Sequence, residues 1–293
     1  MKKLGFFLSV VCFAIAQAED RVVLITGASR GIGLATAELL AENGFTVYGT
    51  VRNAVPTTKE DIHFLEVDLG DEKSVNGALD TILASEGRLD VLINNAGYAL
   101  VGPLETLREE EMYEEMAVNF FAPIRFMQAV LPVMRQQRSG HIINISSINA
   151  FATPPFGSMY AASKAALESV SESLCVEVKP YNISVSIVEP GLVQTHFALP
   201  MGSKELVDNP YELVITGMQR EIAERLSHPE ALQPSQTARE VGEFLMYVIQ
   251  DSNPKLRYQT SEEAKSLISK KLLDLTGEIY LEEVGKFLEK GSE

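Results

Sequence analysis

The sequence predicts an α/β protein of a single domain, built on a doubly wound parallel sheet with helices on both faces. Three observations carry that prediction. From Arg21 onward, apolar runs of strand length alternate with stretches of helical period. The strand runs are continuously apolar, as strands are when helices cover both faces of a parallel sheet. The first run leads through a glycine-rich turn, Thr26-Gly-Ala-Ser-Arg-Gly-Ile-Gly33, directly into a helix.

In chain order, strands are expected over 22–26, 46–51, 63–67, 91–94, 141–145 and 183–188. Helices are expected over 31–43, 72–86, 109–136 and 160–178. A sheet wound this way takes its nucleotide at the carboxyl ends of its strands, beside the point where strand order reverses. Each motif considered below falls at or just after such an end.

Composition sets the outer bounds. At 293 residues and 46% hydrophobic, the chain can bury one large core. Its net charge of −15 makes nucleic acid and anionic membrane surfaces poor partners. His63, His141, His196 and His228 are too scattered for zinc-ligand spacing, so no metal site is expected. Two cysteines, Cys12 and Cys175, exclude a disulfide framework, and Cys175 reads as a small core residue.

In the glycine turn, Gly27 permits the tight bend and Gly31 lets backbone approach a pyrophosphate. Gly33 lets the helix pack closely, and the helix amino terminus offers N–H groups to phosphate. The second motif is Tyr160-Ala-Ala-Ser-Lys164, a phenol and an ammonium one helical turn apart, able to face one substrate. Carbonyl reduction needs a proton delivered as hydride arrives, and a phenol is sluggish at neutral pH unless its anion is stabilised. Lys164 is expected to supply that stabilisation. Ser147 lies 13 residues before Tyr160, and Ser146, one residue off register, should point to the opposite face.

These motifs, with Asn94-Asn-Ala-Gly97, Asn119 and Pro190-Gly191, resemble the full set of the classical short-chain dehydrogenase/reductases from Val22 to about Thr195. The resemblance implies a Rossmann-type sheet and a nicotinamide dinucleotide. Ser29, Arg30 and Ile32 would line the cofactor loop with its glycines, and Asn95 would join them. Asp68 would meet adenine, with a plain helix cap as its other reading. Val193 and Thr195, after Pro190-Gly191, would meet the carboxamide and nearby phosphate. Ser147 would orient the substrate oxygen, Lys164 would also hold the nicotinamide ribose, and Asn119 would kink its helix and hold a relay water, unless it is purely structural.

Charge selects the dinucleotide. Members using NAD end the second strand with an acid for the adenosine ribose. Here Val51 takes that place, Arg52 follows, and Arg30 lies inside the loop, so NADP(H) is expected over NAD(H). Phe197-Ala-Leu-Pro-Met201 should begin a lid over about 195–234. With Phe151, Pro154, Pro155 and Met159, it suits a lipophilic alcohol or ketone. Pro123-Ile-Arg125, Leu192-Val-Gln-Thr-His-Phe197, Asn253-Pro-Lys-Leu-Arg-Tyr258 and Leu273-Asp-Leu-Thr-Gly277 resemble the estradiol 17-beta-dehydrogenase and retinol dehydrogenase branch, which implies steroid- or retinoid-like substrates. The segment 203–234 matches no such pattern and leaves His228 unassigned; a C-terminal extension is expected over about 252–293.

The expected activity is NADP(H)-dependent interconversion of a carbonyl and an alcohol. A dinucleotide-binding sensor or scaffold without chemistry is the alternative, and the intact set Asn119, Ser147, Tyr160 and Lys164 argues against it. Family resemblance implies a homodimer or homotetramer through the helices at 109–136 and 160–178. Residues 1–18 read as a signal peptide or apolar leader: Lys2 and Lys3 precede an apolar stretch that ends in Ala16-Gln17-Ala18. That leader favours export or membrane tethering, whereas NADPH supply favours the cytoplasm. Membrane association would involve this segment alone.

Overall fold

Strand β1 (Val22–Ile25) runs into α1 (Gly31–Glu42), and β2 (Thr46–Val51) and β3 (Ile62–Glu66) extend the sheet on that side. After α2 (Glu72–Glu86) the chain crosses over to β4 (Val91–Asn94). Helix α3 (Glu109–Met116), a π turn over Ala117–Phe121 and α4 (Ala122–Gln137) then lead to β5 (Gly140–Ile145). Next come α5 (Ser158–Val178), β6 (Ile183–Glu189) and the short pair β7 (Val193–Gln194) and β8 (Gln236–Thr237). Helix α6 (Ala238–Gln250), β9 (Arg257–Gln259) and α7 (Glu262–Leu273) complete the fold. The computed structural model describes residues 21–53, 61–195, 197, 199–202, 210–217, 220 and 235–273. The leader, His196, His228, most of the segment 203–234 and the chain past Leu273 lie outside the described residues.

Seven parallel strands form one sheet in the order β3-β2-β1-β4-β5-β6-β9. Strand order reverses between β1 and β4, so a crevice opens at their carboxyl ends. Alternate residues of each strand feed two separate cores. Leu24, Leu92 and Ile142 pack with Phe126, Met127 and Leu167 on one face. Val23, Ile25, Ile93 and Ile143 pack with Val241 and Leu245 on the other.

A polar seam crosses the first of these cores. Asn94 and Asn144 are partners in register on β4 and β5, and Asn94 Nδ2 donates to Asn144 Oδ1 at 2.8 Å. Asn144 Nδ2 donates to Ser171 Oγ on α5 at 2.8 Å. Buried polar groups demand partners, so this seam locks α5 to the sheet in one register. The expected helix over 109–136 runs through, with a π turn inside it. Beyond the expectation, β9 adds a seventh strand, and the β7–β8 pair, α6 and α7 follow β6.

Candidate active site

The glycine turn is built as a rigid cradle. Gly27 and Gly31 have φ of 68° and 59°, left-handed values that disfavour a side chain. A Cβ on Gly33 would lie 2.4 Å from Gly27 O, so only glycine lets the helix begin this close to the turn. Thr26, which sequence reasoning passed over, clamps the turn: its Oγ1 accepts from Asn95 N and Ala96 N, each at 3.0 Å. Asn95 Nδ2 donates to Thr26 O at 2.9 Å and Gly27 O at 3.2 Å. Asn95 therefore shapes the loop from beneath. Thr50 Oγ1, on β2, accepts from Gly27 N at 3.2 Å.

Around this cradle the other expected cofactor residues gather. Ser29, Arg30 and Arg52 are exposed at its rim, while Ile32 is half-buried against the core. Thr195 comes up to the turn, its Cβ 3.6 Å from where a Gly31 side chain would begin. Pro190 O accepts from Ile148 N at 3.1 Å, joining the Pro190-Gly191 turn to the loop after Ser147. Val193 and Gln194 pair with β8. Asp68 is exposed and its Oδ1 accepts from Gly70 N at 2.8 Å; Asp71, three residues on, is the true cap of α2. The helix-cap reading of Asp68 is thereby removed. A turn of left-handed glycines at a helix start, with exposed guanidiniums at its rim, fits a dinucleotide pyrophosphate.

The acid-base group lies at the end of β5. Ser147 follows that strand, hydrogen-bonds to the Tyr160 phenol and accepts from Asn149 N at 3.1 Å. Tyr160 and Lys164 sit in the first two turns of α5 and both are buried. Lys164 Nζ donates to Ile145 O at 2.9 Å and lies 5.8 Å from the centre of the Tyr160 ring. Burial pushes the phenol up to about 12, with the Ser147 hydrogen bond pulling the other way and Glu115 adding to the rise. Burial likewise lowers the Lys164 ammonium to about 8. Lys164 turns its ammonium to a strand-end carbonyl, and burial is the largest influence on the phenol.

Asn119 sits in the π turn, where Ala122 N reaches back to Ala117 O. Its Oδ1 accepts from Tyr98 N at 3.1 Å, and its Nδ2 donates to Tyr98 O at 2.8 Å and to Ser163 Oγ at 3.1 Å. Both amide hydrogens are committed to protein, so a relay role would fall to Oδ1, which accepts from Tyr98 N, or to the backbone of this turn. One turn earlier lies Glu115, a second residue missed in the sequence. It is completely buried, and its Oε1 accepts from Leu100 N at 2.8 Å.

The substrate side is apolar. The Phe197 ring meets the Tyr160 ring edge to face, 5.9 Å between centres. Phe151 lies under Arg257, 5.0 Å from the guanidinium carbon. A groove of about 620 Å³ alongside is lined by Pro103, Leu104, Pro154, Pro155, Phe156 and Tyr211, among others.

Comparison with known proteins agrees with this architecture. The profile of the short chain dehydrogenase family matches residues 21–206. The 3-ketodihydrosphingosine reductase of Bacteroides thetaiotaomicron is 36% identical over 257 residues, covering 86% of this chain and 92% of its own. Human 17-beta-hydroxysteroid dehydrogenase type 1 is 34% identical over 281 residues, covering 89% of this chain and 83% of its own. A solved short-chain dehydrogenase from Streptomyces avermitilis superposes with a TM-score of 0.75 at 31% identity, over 93% of this chain and 99% of that one. With sheet order, glycine cradle and family profile in agreement, this chain belongs to the short-chain dehydrogenase/reductase family of oxidoreductases, whose fold binds a nicotinamide dinucleotide.

Proposed function

We propose that this oxidoreductase uses NADP(H) to interconvert a carbonyl and an alcohol on a lipophilic substrate. The observation that carries the reading is the meeting of Ser147, Tyr160 and Lys164 at the end of β5, beside the glycine cradle. When bound, the nicotinamide supplies or accepts the hydride. In reduction, Tyr160 gives its phenolic proton to the substrate oxygen, and in oxidation it takes that proton back. Ser147 orients the same oxygen by hydrogen bonding. Lys164, held by Ile145 O, places a cation beside the phenol and lends it electrostatic support during turnover.

The rim cations Arg30 and Arg52, with Val51 where an acid would repel phosphate, support a 2′-phosphorylated dinucleotide. Substrate class follows from the walls. Phe151, Phe197 and the proline-lined groove offer mostly apolar area, with Glu105, Ser158 and Tyr211 as the groove's polar lining, which suits a steroid-, retinoid- or long-chain ketone. The relatives named for a sphingoid ketone and a steroid alcohol are consistent with that range.

A panel of lipophilic ketones and aldehydes, followed by NADPH absorbance, tests the reading. Turnover of at least one carbonyl is expected, and it should fall by about two to four orders of magnitude in Tyr160→Phe while NADPH binding persists. A chain that binds NADPH and reduces none of the panel is a sensor, and a fully active Tyr160→Phe removes the acid-base assignment.

A further inference from the structure

The segment after β4 is a strap with contacts on both edges. On one edge Tyr98 exchanges two hydrogen bonds with Asn119, and Leu100 N donates to Glu115. Glu115 and Asn119 are four apart, one helical turn, and they meet residues two apart on extended chain. On the other edge Val101 N donates to Pro200 O, and Gly202 N donates to Val101 O, each at 2.9 Å. Gly102 N donates to Phe156 O at 2.9 Å. The strap thus joins helix α3 to the start of the lid and to the loop before Tyr160.

Glu115 is unusual among these contacts. It is wholly buried, yet among the described residues its second oxygen, Oε2, has no hydrogen-bond partner. Lys164 Nζ comes up to the foot of the same strap, 3.5 Å from where a Gly97 side chain would begin, beside Asn119 Oδ1 at 3.1 Å. Among the described residues, the charged and titratable groups that act on Glu115 or feel it are Lys164 and Tyr160 from α5 and Tyr98 from the strap; Glu111 and Glu114 on its own helix act on that same Tyr98, which Arg52 opposes. A hydrogen bond to Leu100 N alone does not require a carboxylate there; a glutamine would serve. The ionisable group therefore calls for a second explanation.

We propose that Glu115 is a positioning residue with two actions: its side chain holds the strap in register against Pro200 and Gly202, and its negative charge biases the Tyr160–Lys164 pair. The inference rests on Tyr160 acting as acid/base. A carboxylate here raises the proton affinity of both neighbours, keeping the phenol protonated and the ammonium charged at higher pH. Burial holds Glu115 itself at about 7, so its charge is present only toward neutral and alkaline pH. The bias therefore acts on the alkaline side, adding to the rise that burial already gives the phenol.

Two variants separate the actions. Glu115→Gln keeps an oxygen for Leu100 N and removes the charge. For NADPH-dependent reduction, the alkaline limb of kcat should move to lower pH by roughly one unit, with KM for the carbonyl within about twofold. Glu115→Asp keeps the charge and withdraws it by one methylene. Its limb should stay in place while KM for the lipophilic carbonyl rises about tenfold through a displaced strap. A Glu115→Gln limb that superimposes on the parent's, or an unchanged KM in Glu115→Asp, overturns the proposal.

An activity-free measurement covers variants that fail to fold and a parent that reduces no carbonyl. Infrared difference spectra of the parent between about pH 6 and pH 8 should show a buried carboxylic acid losing its proton. In Lys164→Met, which removes the facing ammonium, that transition should move to higher pH. No such transition, or one indifferent to Lys164, overturns the proposal without bearing on whether Tyr160 is the acid.

Discussion

Ser146 and Ser147 are neighbours that serve opposite sides of one strand end. Ser146 Oγ donates to Glu168 Oε1 at 2.6 Å, inside an ionic cluster, while Ser147 hydrogen-bonds to the Tyr160 phenol. Their substitutions should therefore separate. Ser147→Ala should lower kcat by about two orders of magnitude with little change in melting temperature. Ser146→Ala should leave kcat near the parent's and destabilise by about 1–3 kcal/mol, because buried Glu168 loses a donor. Steady-state kinetics beside thermal denaturation of both variants checks the division.

Cofactor choice depends on Arg30 and Arg52, both exposed at the rim of the glycine cradle. Replacing both by alanine should reduce kcat/KM with NADPH by about 10- to 100-fold, the worth of charge-assisted phosphate contacts. Activity with NADH should change less than about threefold. Parallel assays with the two dinucleotides decide the point, and equal losses with both would remove the phosphate assignment.

Glu115 also leaves a mark on stability. Burial raises its folded pKa to about 7 from an ordinary 4.5. Between those values the folded state retains a proton that the unfolded chain has released, so the parent loses stability as pH rises through that window. Glu115→Gln carries no such dependence. Its stability relative to the parent should grow by up to about 3 kcal/mol from pH 4.5 to 7 and then level off. Denaturant titrations at a series of pH values measure the difference.

Arg257 bridges Glu168, Glu172 and Glu189, of which Glu168 and Glu189 are buried. Arg257→Met would leave those two carboxylates without their cation, a loss of about 3–5 kcal/mol. Phe151 would also lose the guanidinium above its ring. A lower melting temperature is expected, together with a higher KM for the carbonyl. A melting temperature equal to the parent's would show the cluster to be idle.

Much of this was legible in the chain, and the reasons for the remainder are physical. Strands β1, β2, β4, β5 and β6 announce themselves because both faces are almost wholly buried and apolar residues dominate them, whereas β3 at the sheet edge exposes His63 and Glu66. Strand β9 consists of Arg257, Tyr258 and Gln259, too short and too polar for any period, and it exists through pairing with β6 and the ionic cluster. Glu115 lies in a helix whose first three residues are Glu109, Glu110 and Glu111, so it looked like one more solvated acid. Only the packing of α3 against the strap and α5 shows that it points inward. The adjacent Ser146 and Ser147 were separable because strand geometry alternates faces, a rule visible in any sequence.

The brevity of β9 has a further consequence. It covers β6 along Ile187, Val188 and Glu189, and its Arg257 and Gln259 side chains are tied to buried Glu189. A chain ending before Arg257 would turn β6, with its run of Ile183 to Val188, into an open and largely apolar border. Such a border is a template for a stranger's strand. By pairing with β6, strand β9 thus keeps that apolar border covered, apart from any part its ionic cluster plays beside the catalytic group.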